Sequence, residues 1–328
     1  MKKNIAVIGC GHWGKNLIRN FAELGSLAAV CDPNDQLAQF QAKEYSAKNL
    51  SFKAILNSED IEGVVLAVPA PLHASMAEEV VNAGKHVFVE KPLAMDKIEA
   101  ESMIKSAKEN KVYLMVGHLL QYHPVFITLR GLVKSGELGS LSYVYSNRLS
   151  FGKVRSNEDV IWSFAPHDIS MILSLTGEEP EFVRTESSNI LHTNIADNAT
   201  LYMQFKSDLK AHVSVSWLHP YKEQKLVVIG KEAMAVFDDT KPWNEKLAIY
   251  RHSITFSGAI PLLEKADVEY LEVMQSEPLR NECQHFLDVI SGNVLPFTDG
   301  SEGLRVLKVL SAASRSQSKN ETIRLAIL

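Results

Sequence analysis

A lysine at the end of a short apolar run is the first residue whose position suggests chemistry. The run HVFVE (86–90) ends in Glu90, and Lys91 and Pro92 follow it. Lysine is rarely buried near a core unless it is paired or has a function. At a strand end its ammonium group can hydrogen-bond a hydroxyl group and stabilise the oxyanion that develops on oxidation, with Glu90 as its partner. A surface lysine that caps the loop is the alternative.

Glycines near the N-terminus have the spacing of a phosphate-binding turn. The stretch VIGCGHWGKN places Gly9, Gly11 and Gly14 at G-x-G-x-x-G spacing, after an apolar run and before a helical pattern. In such turns the first glycine allows the tight bend, the second lets a pyrophosphate approach the backbone, and the third lets helix and strand pack closely. We therefore expect dinucleotide binding here, with His12 and Trp13 as further contacts. A plain glycine turn is the alternative.

Asp32 and two residues of a later loop are also expected to contact the dinucleotide. Asp32 closes the second strand, 18 residues after Gly14, where a carboxylate accepts both ribose hydroxyls and repels a 2′-phosphate. No arginine follows it, so the sequence favours NAD over NADP; a helix N-cap is the other role open to Asp32. The loop VPAPLH (68–73) brings Pro69 and His73 to the same sheet edge, although His73 is equally suited to an ordinary helix start.

These residues require a scaffold of alternating strands and helices, which the first 118 residues predict. Runs that are apolar on consecutive residues indicate strands buried on both faces, and their alternation with helical patterns predicts a parallel, doubly wound sheet. The expected strands are 4–9, 27–32, 63–69, 86–90 and 112–117, and the expected helices are 13–24, 34–46, 72–83 and 96–109. We predict an NAD-binding Rossmann domain over 1–120 and a substrate-binding and oligomerisation α/β domain over 121–328.

The pattern changes after about residue 125. Strands are expected at 140–150, 181–190, 199–205, 211–217, 225–230, 233–239 and 246–251, and helices at 279–292 and 300–316. Val213, Val215 and Trp217 share one face of a strictly alternating strand, which is typical of an antiparallel sheet with one face on a core. We expect the other face to support a homodimer or homotetramer.

Composition narrows the class of protein further. The 328 residues are 46% hydrophobic and 22% charged, with a formal net charge of -5. No basic block indicates nucleic acid or an anionic membrane as a partner, and no apolar run approaches the ~20 residues that span a bilayer. Three cysteines without a CxxC pair argue against a disulfide framework and against a structural metal site. We expect a cytoplasmic protein.

With these motifs the chain resembles the glucose-fructose oxidoreductase / inositol dehydrogenase / MocA (Gfo/Idh/MocA) family. The resemblance rests on the glycine turn, the Glu-Lys-Pro strand end, GHLLQYHP (117–124), SGELGSLSYV (135–144) and DGSEGLRVLKVLSAASRS (299–316). It implies a Rossmann domain followed by an α/β domain with a large, mostly antiparallel sheet that often mediates oligomers. It also implies that Lys91 lies at the nicotinamide and contacts the reacting hydroxyl.

The resemblance extends to a second catalytic stretch, WSFAPHDISMIL (162–173). His167, 76 residues after Lys91, matches the family histidine, but Ser163 stands where the family has aspartate, and Asp168 follows the histidine directly. An imidazole suits a general base at neutral pH. We expect His167 to be catalytic and Asp168 either to orient it or to cap a helix that begins there.

Candidate substrate contacts follow the last Rossmann strand and surround the second stretch. They are His118, Gln121, Tyr122, Asn147, Arg148, Arg155, Trp162 and His167. Local packing and capping is the alternative for His118, a solvated loop for Arg155, and core packing for Trp162.

The motifs together predict an NAD-dependent oxidoreductase that acts on a secondary hydroxyl of a sugar. Similarity to the nucleotide-sugar branch of the family favours C3 of a UDP-N-acetylhexosamine. The alternatives are a dehydrogenase of a free polyol or sugar, an NAD-dependent glycosidase, and a non-catalytic NAD-binding regulatory protein.

Overall fold

The chain folds into two compact units, each built from segments that are distant in the sequence. The computed structural model describes residues 4–156 and 158–325. One unit contains the described residues up to Tyr122 together with Ser276–Leu307; the other contains His123–Gln275 and the described residues from Lys308 onward. The predicted boundary after residue 120 lies near the first division, but the sequence did not predict that 276–307 would join the first unit. The roles assigned to the two predicted domains stay predictions.

The elements follow the predicted change of pattern along the chain. The strands are β1 (Ile5–Ile8), β2 (Leu27–Cys31), β3 (Lys48–Asn49), β4 (Gly63–Leu66), β5 (His86–Glu90), β6 (Leu114–Gly117), β7 (Leu141–Phe151), β8 (Phe182–Ser188), β9 (Asn198–Gln204), β10 (Lys210–Ser216), β11 (Leu218–Gly230), β12 (Met234–Asp238), β13 (Leu247–Tyr250), β14 (Ser253–Ser257), β15 (Ile260–Glu264), β16 (Val268–Tyr270) and β17 (Ile323–Arg324). The helices are α1 (Gly14–Glu23), α2 (Asp35–Glu44), α3 (Phe52–Leu56), α4 (His73–Asn82), α5 (Lys97–Glu109), α6 (Pro124–Lys134), α7 (Val160–Thr176), α8 (Pro278–Ile290) and α9 (Gly300–Lys319).

A parallel sheet forms the centre of the first unit. Its strand order is β3-β2-β1-β4-β5-β6, and each neighbouring pair runs parallel. Strands β1, β4 and β6 are buried at every position, as expected for strands covered on both faces. The chain reverses its direction of strand addition at β1 and β4, where ligands of such folds bind at the carboxyl ends of the strands. The predicted doubly wound sheet is confirmed.

Aromatic side chains explain why the segment 276–307 belongs to the first unit. Phe286 on α8 packs against Phe88 of β5 and Phe21 of α1, with ring centroids 5.7 and 6.3 Å apart. All three side chains are fully buried. Burying one large apolar side chain contributes about 1.5–3 kcal/mol, so α8 supplies part of the first unit's core.

A mixed, mostly antiparallel sheet forms the second unit. Its order is β16-β13-β12-β11-β7-β10-β9-β8-β17, and within it β7 and β10 run parallel. The alternation predicted for β10 is confirmed, because Val213 and Val215 are fully buried while His212 and Ser214 are half-buried. Helix α7 packs on β7 and β10.

Some elements differ from the sequence predictions. The predicted helix start at Asp168 is wrong: α7 begins at Val160, and the Asp159 side chain caps it by accepting the N–H of Trp162 at 3.0 Å. Pro166, which is typical of a first helical turn, lies inside this helix. The polar strand β3 and the exposed hairpin β14–β15 were not predicted. Within 4–156 and 158–325, no helix has the length and apolar character needed to cross a bilayer.

Candidate active site

The glycine turn in the first unit is tightly packed at two positions and open at the third. Gly9 has φ +96, and a Cβ there would lie 2.3 Å from the carbonyl oxygen of Ala67. A Cβ on Gly14 would lie 1.8 Å from the carbonyl oxygen of Gly9, whereas a Cβ on Gly11 would meet nothing within 4 Å. The open space lies where a pyrophosphate must approach the backbone. The first turn of α1 carries no acidic side chain that would repel such an anion.

Asp32 is held beside this turn by backbone donors. Its Oδ2 accepts the N–H of Cys10 at 2.7 Å, and its Oδ1 accepts the N–H of Asn34 at 2.8 Å. Each oxygen keeps a second lone pair, so the carboxylate can still accept ribose hydroxyls. Burial, and then the charge of Asp32, raise the pKa of the Cys10 thiol to about 12. The residues of the turn and Asp32 therefore fit the adenosine half of NAD.

Glu90 and Lys91 end β5 at the carboxyl edge of the same sheet. Oε2 of Glu90 accepts the backbone N–H of Lys91 at 3.2 Å, and Oε1 accepts the indole N–H of Trp13. The Glu90 carboxyl lies against Gly117 of β6, where an added Cβ would be 3.0 Å from it. Burial raises the pKa of Glu90 from its usual value near 4.5 to about 7, although the Trp13 hydrogen bond and the Lys91 charge oppose this. The peptide between Lys91 and Pro92 is cis.

The loop that carries Pro69 and His73 is fixed by the histidine ring. Nε2 of His73 lies 2.9 Å from the carbonyl oxygen of Val68, and Nδ1 lies 2.7 Å from that of Pro92. Burial lowers the pKa of His73, which is almost inaccessible to solvent. Pro69 is exposed. The ring thus connects this loop to the residue after Lys91, and the cofactor contacts of Pro69 and His73 stay predictions.

The candidate substrate residues after β6 are buried within the first unit. Nδ1 of His118 lies 2.5 Å from Oε2 of Glu302, and the Tyr122 hydroxyl lies 2.9 Å from Oγ1 of Thr298. Gln121 is also buried. Substrate contacts by these side chains stay predictions. Of the described residues, no group of three or more His, Cys, Asp and Glu side chains is arranged to hold a metal ion.

In the second unit, Asp168 forms a buried ion pair on the inner side of α7. Its carboxylate accepts from Nε of Arg148 at 2.6 Å, from Nη2 at 3.2 Å, and from the Ser146 hydroxyl at 2.6 Å. Successive helix residues project about 100° apart, so His167, which is half-buried, leaves the face that carries Asp168. The sequence did not predict that Arg148 and Asp168 would be partners. Their proposed roles in substrate binding and catalysis stay predictions.

Other candidates of the second unit also have partners in the chain. Nδ2 of Asn147 donates to Glu223 at 2.6 Å, and the Trp162 indole donates to Oγ of Ser314 at 2.9 Å. Nε of Arg155 lies 3.4 Å from Oε1 of Glu158. Substrate contacts by Asn147, Trp162 and Arg155 remain predictions.

The glycine turn, Asp32 and the parallel sheet define a protein that binds a dinucleotide, and comparison with known proteins gives its family. Residues 3–118 match the family described as "Oxidoreductase family, NAD-binding Rossmann fold", and residues 126–236 match the "GFO/IDH/MocA C-terminal domain". The chain belongs to the GFO/IDH/MocA family and is an NAD-dependent oxidoreductase.

Similar proteins cover nearly the full length of the chain. UDP-N-acetylglucosamine 3-dehydrogenase of Acidithiobacillus ferrooxidans is 30% identical over 303 residues, which are 92% of this chain and 93% of that protein. A solved structure of that enzyme has a TM-score of 0.85 and 28% identity, covering 96% of this chain and 97% of that one. Inositol 2-dehydrogenase of Rhizobium meliloti is 25% identical over 342 residues, 99% of this chain and 100% of that protein.

Proposed function

We propose that the protein oxidises the C3 hydroxyl of a UDP-N-acetylhexosamine, with UDP-N-acetylglucosamine as the substrate and NAD as the hydride acceptor. The observation that carries this proposal is the 30% identity to a UDP-N-acetylglucosamine 3-dehydrogenase along 92% of the chain. The position of Lys91 at the sheet edge that also carries the open glycine turn supports a reaction beside the cofactor.

The proposed mechanism assigns one task to each of two ionisable side chains. Lys91 donates a hydrogen bond to the reacting oxygen and stabilises its developing negative charge. His167 removes the hydroxyl proton, directly or through a water molecule. Bound NAD supplies the acceptor for the hydride, and the protein supplies orientation and electrostatics. The glycine turn and Asp32 hold the adenosine and pyrophosphate groups.

The test measures NADH absorbance when purified protein is mixed with NAD and UDP-N-acetylglucosamine. We expect turnover, and we expect Lys91→Ala to lower kcat by about 100-fold or more while NAD binding is retained. Lys105→Ala is the matched control, because this lysine lies on the exposed surface of α5. NAD binding without NADH formation from any UDP-sugar would refute the substrate assignment. If free sugars and polyols also gave no NADH, the result would favour a regulatory role.

A free polyol is the second candidate substrate. The similarity to inositol 2-dehydrogenase along 99% of the chain favours a polyol over a glycoside as this second candidate. Competition between myo-inositol and UDP-N-acetylglucosamine at equal concentration separates the two candidates. Faster NADH formation from myo-inositol would place the protein with the polyol dehydrogenases.

Self-association and a cytoplasmic location belong to the same proposal. The hairpin β14–β15 exposes large apolar side chains, including Ile254, Phe256 and Leu263, which are 56%, 69% and 73% accessible. Exposed apolar clusters of this kind support contacts with another protein surface. We therefore propose a homodimer or homotetramer, and native mass spectrometry tests it: a monomer at micromolar concentration would contradict this part. The free cysteines of the described residues suit a reducing compartment.

A further inference from the structure

Three segments of the first unit meet at the carboxyl group of Glu90. The turn between β1 and α1 contributes the Trp13 indole N–H, and the end of β5 contributes the Lys91 backbone N–H. Strand β6 contributes Gly117, which pairs with Glu90 in the sheet and leaves space for the carboxyl. One carboxyl group thus receives donors from the proposed dinucleotide turn and from the proposed catalytic lysine.

Burial and nearby titratable groups determine whether the Glu90 carboxyl is ionised. The titratable groups that face it are Lys91 beside it and His118 directly after β6. Glu282 on α8 lies within electrostatic range of Glu90 and of Glu302 on α9. The neighbouring Cys283 is buried and its pKa is raised by burial and then by Glu282. Glu90 is therefore the acceptor of two N–H groups in a poorly solvated environment that contains both basic and acidic side chains.

We propose that Glu90 is a positioning residue that couples the dinucleotide turn to Lys91. Its two oxygens hold Trp13 and the Lys91 backbone at the same time, so the conformation of the turn and the orientation of the lysine are set together. This inference rests on the proposed function, because Lys91 must contact the substrate for its orientation to affect turnover. Trp13 is likewise a positioning residue that acts through Glu90.

The charge state of Glu90 determines how well the coupling works. A carboxylate accepts both N–H groups strongly, whereas a carboxylic acid keeps only one strongly accepting oxygen. Because burial raises the pKa of Glu90 to about 7, protonation weakens one of the two bonds near neutral pH. We expect protonation of Glu90 to deepen the fall in kcat on the acid side of about pH 7, to which the proposed general base His167 also contributes.

The experiment is a double-mutant cycle of Trp13→Phe and Glu90→Gln. Phenylalanine removes the indole N–H but keeps an aromatic ring, and glutamine keeps the size of the side chain but offers one acceptor oxygen instead of two. We expect each single change to lower kcat about 10-fold, with the double variant no worse than the poorer single variant, because both changes break one connection. The decline in kcat below about pH 7 should become shallower in Glu90→Gln, because only the contribution of the general base His167 remains.

Two further variants supply an independent test of the Glu90 carboxyl and a control for loss of an indole hydrogen bond. Gly117→Ala adds a methyl group 3.0 Å from the Glu90 carboxyl and should reproduce the loss of kcat seen in Glu90→Gln without removing either partner. Trp243→Phe is the matched control, since its indole also donates one hydrogen bond, to the carbonyl of Val273 in the other unit. We expect kcat and its pH profile to be unchanged in Trp243→Phe.

The same cycle measured on NAD affinity separates this inference from the proposed function. We expect each single change to raise the Kd for NAD about threefold and the double change to add nothing further, as calorimetry without sugar would show. If no sugar is oxidised, the proposed function is wrong. The calorimetric cycle still tests whether Trp13 and Glu90 act through one connection. Additive effects on Kd and kcat, or an acid-side decline that is unchanged in Glu90→Gln, would overturn the inference.

Discussion

Replacing Glu90 by glutamine should make the protein's stability less dependent on pH. In the folded chain burial raises the pKa of this carboxyl from near 4.5 to about 7. Between these values the folded chain binds a proton that the unfolded chain has released, so the free energy of unfolding falls as the pH rises. Each pKa unit corresponds to about 1.4 kcal/mol, which makes the full penalty roughly 3 kcal/mol once the pH exceeds about 7.

Urea unfolding at about pH 5 and about pH 8, followed by circular dichroism without NAD, measures this penalty. We expect the free energy of unfolding of Glu90→Gln, relative to the parent, to rise by roughly 2–3 kcal/mol between the two pH values. The hydrogen bond that glutamine loses is a nearly constant offset, so it cancels in this comparison. Glu109→Gln on the exposed side of α5 is the control and should stay within about 0.5 kcal/mol of the parent at both pH values. A difference for Glu90→Gln that stays flat with pH would show that burial does not hold this carboxyl neutral, and the reasoning would fail.

Substitutions at four other residues test the remaining contacts. Gly11→Ala should leave the urea midpoint unchanged but weaken NAD binding about 10-fold or more, whereas Gly14→Ala should unfold the first unit at low urea because its methyl group meets a backbone oxygen at 1.8 Å. Glu282→Met should raise the free energy of unfolding by about 1–3 kcal/mol, because neither carboxyl oxygen has a hydrogen-bond partner among the described residues; Glu282→Gln, which stays polar, should gain less. Asp168→Asn should cost about 3 kcal/mol in urea unfolding by leaving Arg148 without its buried counter-charge, and a loss below 1 kcal/mol would contradict that account.

The first unit could be predicted closely because its signals are local. Each strand of the sheet except β3 is a short apolar run, and the residues at strand ends, such as Asp32 and Lys91, are placed by the chain immediately before them. Strand β3 has only two residues, Lys48 and Asn49, and its existence depends on pairing with β2. No periodicity of its own could have indicated it.

The second unit was harder to predict where tertiary contacts decide the structure. Pro166 usually indicates a helix start, yet α7 begins six residues earlier because Asp159 supplies the cap. The ion pair of Arg148 and Asp168 joins a strand to a helix 20 residues later. The sequence suggested Arg148 as a substrate contact and Asp168 as a residue that orients His167 or caps a helix. Only the packing of α7 on β7 shows that the two charges compensate each other.

The hydrogen bond between Trp13 and Glu90 in the candidate site also joins residues that are distant in the sequence. Trp13 and Glu90 are separated by 77 residues, and the glycine that makes room for the carboxyl lies on a third segment. The sequence predicted each residue for a separate reason, as part of a glycine turn or a strand end. The sheet order β1-β4-β5-β6, which brings the three segments to one edge, was needed to join them.

The first unit contains two buried carboxyls, Glu90 and Glu282, which differ in their hydrogen-bond partners. Burial raises the pKa of Glu90 to about 7 and that of Glu282 well above its usual value, so each makes folding less favourable when ionised. Side chains that lower stability are expected to persist where they serve function. Glu90 holds two donors next to Lys91, and Glu282 holds none among the described residues. Glu282→Met should therefore stabilise the first unit with turnover retained, whereas Glu90→Gln should stabilise it above about pH 7 while turnover falls. If both changes lowered kcat equally, Glu282 would belong to the positioning network as well, acting on Glu90 through its charge.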